Sequence, residues 1–236
     1  PALSVEGLEE ETDNRRGKGV YKKIMHAMDL MREAGCVFGF SACYARNNVD
    51  VIASDEFIDS MVDKGCAFGW FFTYVPVGSE PNLDLMATPE QRAKMYDAVR
   101  RFRNTKPIFL VDFWNDGEFS LGCIAGGRRY LHINAAGDVE PCAFIHYATD
   151  NINDVSLKEA LASPLMRAYQ KRQPFNQNML RPCPLIDNPE KLVEIIEESG
   201  ARSTQLGEHA VEPEVLAGKI QEEYTQHWAA KADELW

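Results

Sequence analysis

The sequence predicts an α/β protein in which βα units of a parallel sheet precede a small α+β extension carrying cysteines, a β-hairpin and C-terminal helices. Three observations predict it. Short, near-continuous apolar runs alternate with amphipathic stretches over the first 112 residues, and that rhythm breaks after Asp112. Beyond the break, Cys123, Cys142 and Cys183 are spaced around a glycine-centred hairpin. The expected division is 1–112 for the sheet, 113–200 for the cysteine-bearing extension and 201–236 for a helical tail.

Four strands are expected, at Ala2 to Val5, Cys36 to Ala42, Ala67 to Val75 and Pro107 to Val111, each apolar throughout as a sheet covered on both faces requires. Val20, Ile24, Ala27, Met28, Met31 and Ala34 recur at helical spacing, with Gly35 as the stop. A second helix carries Phe57, Ile58, Met61 and Val62 before Gly65. A third starts at Thr88-Pro89-Glu90-Gln91, a capping hydroxyl ahead of proline, with Met95, Val99 and Phe102 as its inner stripe. In the extension, Tyr130 to Asn134 and Asp138 to Glu140 pair across Ala135-Ala136-Gly137. Ser156-Leu157-Lys158-Glu159 is a capping box, Asn188-Pro189-Glu190 starts another helix, and Glu212 to Trp236 reads as a surface helix.

Charge and composition narrow the function. Lys and Arg total 25 against 36 for Asp and Glu, a formal charge of −11, which speaks against a sequence-independent electrostatic grip on nucleic acid or anionic lipid. No nucleic-acid partner and no membrane span are expected. No apolar run approaches the roughly 20 residues that cross a bilayer, and no secretory segment opens the chain, so a reducing cytoplasm is the expected compartment. Six cysteines in 236 residues are too few for a disulfide-stapled scaffold.

Cys36, Cys43 and Cys66, in or beside strands or just after a helix, read as small buried hydrophobes. Cys123, Cys142 and Cys183 read differently. A tight turn at Gly137 brings the ends of the hairpin together, so Cys123 and Cys142 can lie side by side, with Cys183 folding back onto them. Thiolates that converge in a reducing compartment suit an iron–sulfur cluster or zinc better than a disulfide. Zinc asks for a fourth ligand, for which His132, His146 and Asp187 are the candidates.

Several segments together carry a family resemblance. Ser4-Val5-Glu6-Gly7, Asp13-Asn14-Arg15-Arg16-Gly17, Tyr74-Val75-Pro76-Val77-Gly78, Gly122-Cys123, and Leu131 to Cys142 with its thirteen-residue and four-residue spacings about Gly137 are similar to a radical S-adenosylmethionine (SAM) enzyme with a SPASM or twitch extension. The resemblance implies that the sheet is part of a partial (β/α) barrel and that the extension holds an auxiliary [4Fe-4S] cluster. It also implies an oxidoreductase chemistry: one electron from a reduced cluster breaks a C–S bond of SAM, and the resulting 5′-deoxyadenosyl radical takes hydrogen from a peptide or small-molecule substrate. A flavodoxin or ferredoxin would be the reductant. Two departures stand out. The family's CxxxCxxC is not in this sequence, and Pro1 falls where a fourth barrel strand would be, so the chain is expected to be a fragment, inactive alone, whose SAM-cluster ligands lie upstream. Cys183 is all that remains of the later SPASM cysteines, which favours a twitch-like single cluster with three protein ligands.

Site residues follow from the same resemblance, at the strand ends where barrel loops converge. Ser4 is expected to hydrogen-bond SAM and Arg16, with Arg15 beside it, to clamp the SAM carboxylate. Gly39 would admit close backbone approach by adenine or merely tight packing. Asn47, in the loop Arg46-Asn47-Asn48, would face the adenosyl group, and Val75 would offer a carbonyl to adenine. Trp70, Phe71 and Phe72 read as core, and Asp112, Trp114, Asn115 and Asp116 as substrate contacts or a joining loop. The competing, non-enzymatic reading is a binding module with a structural zinc or iron–sulfur site at the three cysteines.

Overall fold

Alternation decides what the first strands bury. The structure, a computed structural model, describes residues 1–78, 81–205 and 213–236, and they fall into two compact units. One comprises Pro1–Tyr74 with Asp84–Asp116, the other Val75–Leu83 with Gly117–Trp236. In the first, β1 (Ala2–Ser4), α1 (Glu9–Arg16), α2 (Val20–Glu33), β2 (Gly39–Tyr44), α3 (Val49–Ile52), α4 (Asp55–Lys64), β3 (Phe68–Thr73), α5 (Pro89–Thr105) and β4 (Phe109–Asp112) follow one another. The four strands form a parallel sheet in the order β1-β2-β3-β4, as expected of successive βα units.

Phe40, Ala42 and Tyr44 of β2, Phe71 of β3 and Leu110 of β4 pack in one core with Met28 of α2, Phe57, Ile58 and Met61 of α4, and Met95, Val99 and Phe102 of α5. The other face carries Ser4, Ser41, Trp70 and Val111, aligned in one row across the four strands by the parallel register. Cys43 and Phe72 form the row next to it. Phe72 stacks on Phe113 at 4.6 Å, and Trp70 lies 6.2 Å from the same ring. Of the three aromatics read as core, Phe71 is fully buried, while Trp70 and Phe72 are half-buried on this second face. A period of two sends neighbours to opposite sides.

Local chemistry sets the boundaries. Ser54 caps α4 and Gly65 ends it in the left-handed region, and Thr88 with Gln91 completes a reciprocal capping box at α5. The second strand starts three residues later than its apolar run suggested. The Cys36 amide donates to the Met31 carbonyl and closes the turn that ends α2, after which residues 36–38 are irregular; Val37 and Cys36 are exposed. Cys36 is therefore not the buried hydrophobe expected, whereas Cys66 is, and burial pushes its thiol up to about 12. The charged helix α1 has no apolar stripe for sequence periodicity to reveal.

The second unit contains α6 (Gly117–Ser120), the hairpin β5 (His132–Ile133) and β6 (Val139–Glu140), β7 (Tyr147–Ala148), α7 (Leu157–Ala160), α8 (Pro164–Lys171), α9 (Pro189–Ser199), β8 (Arg202–Ser203), α10 (Pro213–Ile220) and α11 (Gln226–Leu235). The terminal segment differs from the single surface helix expected from Glu212, a residue outside those described. A π-helical turn, Gln221–Thr225, separates α10 from α11, and Ile220, Tyr224, Trp228 and Ala232 are buried. Trp228 Nε1 donates to the Leu180 carbonyl at 3.0 Å, Thr225 Oγ1 to the Ile186 carbonyl at 2.9 Å, and Asn178 Nδ2 to Asp233 at 2.8 Å. These contacts brace the loop that carries Cys183. Among the described residues, no helix is long and apolar enough to cross a membrane.

Gly39 receives a packing explanation in place of a cofactor contact. It starts β2, at the end of the strand away from the loops that follow β1 and β2, and a Cβ there would sit 2.2 Å from the Phe68 carbonyl oxygen on the neighbouring strand. A backbone atom in a central sheet cannot step aside cheaply. Gly39→Ala is thus expected to cost about 1–3 kcal/mol of stability without any ligand present, read as a lowered urea midpoint; an unchanged midpoint would remove the packing argument.

Candidate metal centre and cofactor face

Three loops of the second unit deliver the three cysteines. The first turns sharply after α6: Leu121 and Gly122 have φ of 58° and 89°, and the Gly122 amide donates back to the Gly117 carbonyl at 2.8 Å. Arg128 fastens this turn by donating to the carbonyls of Ser120, Leu121 and Cys123 at 2.8, 3.0 and 2.8 Å. The second loop follows the hairpin, whose turn needs Gly137 at φ 91° and leaves room for Asn151 and Asn153 against it. Cys142 then closes a short bridge, its carbonyl accepting from the Ile145 amide at 3.0 Å. The third loop precedes α9. There the Asp187 carboxylate accepts the Cys183 amide at 3.1 Å, while the Cys183 carbonyl accepts the amides of Asp187 and Asn188, each at 3.1 Å.

These loops are stitched together. The Gly126 amide donates to the Pro141 carbonyl at 2.9 Å, which joins the Cys123 loop to the residue before Cys142. Gln173 Nε2 donates to the carbonyls of Cys123 and Ala125, both at 3.1 Å, and Gln170 Nε2 to that of Gly126 at 2.7 Å. All six cysteines are free thiols. Although the three retain some exposure, the protein around them desolvates each strongly. Burial pushes Cys142 up to about 12 and moves Cys123 and Cys183 in the same direction; the charge of Cys123 raises both of the others further. Tyr169, wholly buried, lies with its hydroxyl 3.3 Å from the Cys123 sulfur, and burial followed by the charges of Cys123 and Cys142, and more weakly Cys183, lifts that hydroxyl well above its ordinary range.

This donor set fits an iron–sulfur cluster. Among the described residues no three His, Cys, Asp or Glu side chains are grouped to hold a single metal ion. A tetrahedral zinc would need sulfurs about 3.8 Å apart, given Zn–S bonds of about 2.3 Å. A cluster asks each sulfur to meet a different iron, so thiols that feel one another's charge without meeting at a point suit it. The auxiliary candidates serve elsewhere. His132 Nδ1 lies 2.7 Å and His146 Nδ1 3.7 Å from one oxygen of Glu140, a wholly buried carboxylate that also accepts from Thr204 and Asn134. Burial alone would raise Glu140, but the donors His146, Thr204 and His132 outweigh it and hold its carboxyl below the ordinary value.

In the first unit, Ser4 is half-buried at the end of β1. Arg16 meets Glu6 at 2.5 Å and Arg15 meets it at 3.1 Å. Glu6, fully buried, also accepts the Cys43 amide at 3.2 Å. The arginines expected to clamp an incoming carboxylate are thus held by one from the chain itself. Asn47 is exposed, and it is Asn48 that clips the strand ends, donating to the carbonyls of Glu6 and Cys43 at 3.0 Å each and accepting from Ala45 at 2.7 Å. Val75 belongs to the second unit, and its carbonyl accepts from the Val77 amide at 2.9 Å. For a SAM molecule, the face bearing Ser4 and Ser41 offers aromatic surface and one notable donor: Trp70 Nε1 is buried without a hydrogen-bond partner. A polar group orphaned on an aromatic face fits an adenosyl ligand.

Residues 123–184, which include all three cysteines, match the SPASM model, described as an iron–sulfur cluster-binding domain. No curated protein matches the chain. Among solved structures, anSMEcpe with bound AdoMet and the Cp18Cys peptide matches 99% of this chain at 16% identity, with a TM-score of 0.53 over 68% of its own chain. SuiB from Streptococcus suis bound to S-adenosylmethionine matches 78% of this chain at 14% identity, with a TM-score of 0.57, and SuiB bound to its precursor peptide SuiA does so at 0.55. The chain has the fold of radical SAM enzymes with a SPASM domain. It spans 48% of the SuiB chain.

Asp112, Asn115 and Asp116, read as substrate contacts or a joining loop, form a buried network with α5. Asn115 Nδ2 donates to Asp112 Oδ2 at 2.8 Å, Arg92 Nε to Asn115 Oδ1 at 3.0 Å, and Arg103 forks onto Asp116. Asp112 Oδ1 has no hydrogen-bond partner. Burial, and then the neighbouring charge of Asp116, raises the Asp112 carboxyl to about 6. The folded state therefore holds this proton more tightly than the unfolded chain. The associated stability is full below about pH 4 and is lost as pH rises through 6, by as much as ~3 kcal/mol. Asp112→Asn removes this dependence, so the variant should gain on the parent between pH 4 and 7 in urea unfolding. A parent–variant difference that stays constant across that range would refute the assignment.

Proposed function

We propose that this chain is the SAM-binding and auxiliary-cluster part of a radical SAM enzyme acting on a peptide, with Cys123, Cys142 and Cys183 as the protein ligands of a [4Fe-4S] cluster. The observation that carries the reading is the three free, desolvated thiols on three braced loops within the segment that matches an iron–sulfur domain. A peptide substrate is supported by the peptides bound in the anSMEcpe and SuiB structures. When bound, SAM and its reduced cluster would supply one-electron cleavage and hydrogen abstraction; a flavodoxin or ferredoxin would be the electron source.

The chain's own residues bind and position. Ser4 and the aromatic face around Trp70 would hold the adenosyl part of SAM, with Asn47 on the loop after β2. Arg16 serves there through Glu6: the buried carboxylate fixes the guanidinium and leaves its remaining N–H donors for a ligand. In the second unit, three neutral thiols must each lose a proton when iron binds, so cluster loading releases protons and is favoured by alkaline conditions. The braces from Arg128, Gln173 and α11 keep the sulfur-bearing loops in place before loading, which reduces the ordering cost of binding.

Reconstituted with iron and sulfide in the absence of air, the chain should turn brown and contain iron with acid-labile sulfide. Cys142→Ala should lose most of the colour while keeping its helical circular dichroism. Colourless protein that takes up zinc and no sulfide would favour the structural-site reading and overturn this one. Because no CxxxCxxC occurs in these 236 residues, the reduced chain should form no 5′-deoxyadenosine from SAM; its detection by chromatography would show that the cleaving cluster is held some other way.

A further inference from the structure

Helix α8 places one hydroxyl among the sulfurs. Tyr169 is fully buried, its oxygen 3.3 Å from Cys123 Sγ, and its ring is fixed edge-on against Phe175 at 4.9 Å. Gly126 makes room for it: a Cβ there would lie 2.1 Å from Tyr169 Cδ1. The same helix and the turn after it hold the Cys123 loop through Gln170 and Gln173. Leu165 and Met166, both fully buried, anchor the helix, and Ser163 caps it. The tyrosine is thus aimed from a rigid element, with its aromatic body packed and only its polar end left to find a partner.

We propose that the Tyr169 hydroxyl is a hydrogen-bond donor to the Cys123 sulfur that tunes the iron–sulfur group held there, a positioning residue and not an iron ligand. The inference rests on the reading of Cys123, Cys142 and Cys183 as iron ligands. Once Cys123 binds iron its sulfur carries no proton, so the phenolic proton is the one available to that contact. Hydrogen bonds to cluster sulfurs draw electron density from iron and raise the reduction potential. The Ala125 amide also approaches the sulfur, at 3.5 Å, and Gln173 lies near it while donating to the Cys123 carbonyl, but the contact at 3.3 Å is the one made by an O–H group.

The test compares the reconstituted full chain with its Tyr169→Phe variant and with 3-fluorotyrosine at position 169. Iron and sulfide content of the unmodified chain is measured first, and their absence defeats the underlying cluster reading. With the cluster present, Tyr169→Phe should keep its iron and sulfide and shift the midpoint potential downward by about 59 mV, a tenfold change in a one-electron equilibrium. It should also lose one exchangeable-proton coupling in the electron–nuclear double resonance spectrum of the reduced cluster. The fluorinated ring preserves the fold and strengthens the donor, so its potential should move upward; this arm decides if the phenylalanine variant does not fold. Potentials equal in the three proteins, or a coupling that persists in Tyr169→Phe, would overturn the proposal. A three-iron spectrum in that variant would overturn it too, by making Tyr169 a ligand.

Discussion

Desolvation of sulfur governs the second unit. Three thiols held among packed side chains are each harder to ionise than a thiol in water, and the first to ionise makes the others harder still. Such thiols stay protonated and neutral at ordinary pH, and the proposed cluster would have to displace those protons to bind. The loops around them are held by hydrogen bonds to backbone and side chain. The backbone carbonyl of Cys123 takes donors from Arg128 and Gln173, both of which also lie near enough to ease ionisation of its sulfur, and Glu140, two residues before Cys142, is held below its ordinary value against burial by His146, Thr204 and His132.

A different economy operates in the first unit. Its sheet has one face packed on helices in the usual way and another that gathers serine hydroxyls, a thiol and aromatic rings. Glu6 sits where β1 ends, and it satisfies two arginines and a backbone amide at once. Breaking one partner of such a buried set leaves the others uncompensated, which is why the arrangement is rigid even though none of its members lies in the hydrophobic core. Asn48 performs the neutral version of the same task.

Much of the fold was legible because it rests on local signals. The capping boxes at Thr88 and Ser156, the left-handed glycines at 65 and 137, and the apolar strand runs each report on neighbours within a few residues. The same holds for the Cys123–Gly137–Cys142 spacing. That Glu6 and Asn48 tie the strand ends together is not legible locally, because their contacts reach 42 residues along the chain in the longest case; a charged residue directly after a strand, with two arginines following, is the available signal for Glu6. Tyr169 was missed although Ser163-Pro164 announces a helix start, since nothing local says which helix face will meet a sulfur 46 residues away.

By itself, the sequence determined that strands and helices alternate before Asp112, that a glycine turn separates two cysteines, and that no CxxxCxxC is present, because periodicity, turn chemistry and composition are properties of neighbouring residues. Tertiary structure alone decided that Gly39 answers to a neighbouring strand, that the tail buries Trp228 against the Cys183 loop, and that Arg16 is held by Glu6. Each of those outcomes depends on which distant atoms come within a few ångströms, and steric exclusion and charge pairing act across space without regard to separation along the chain.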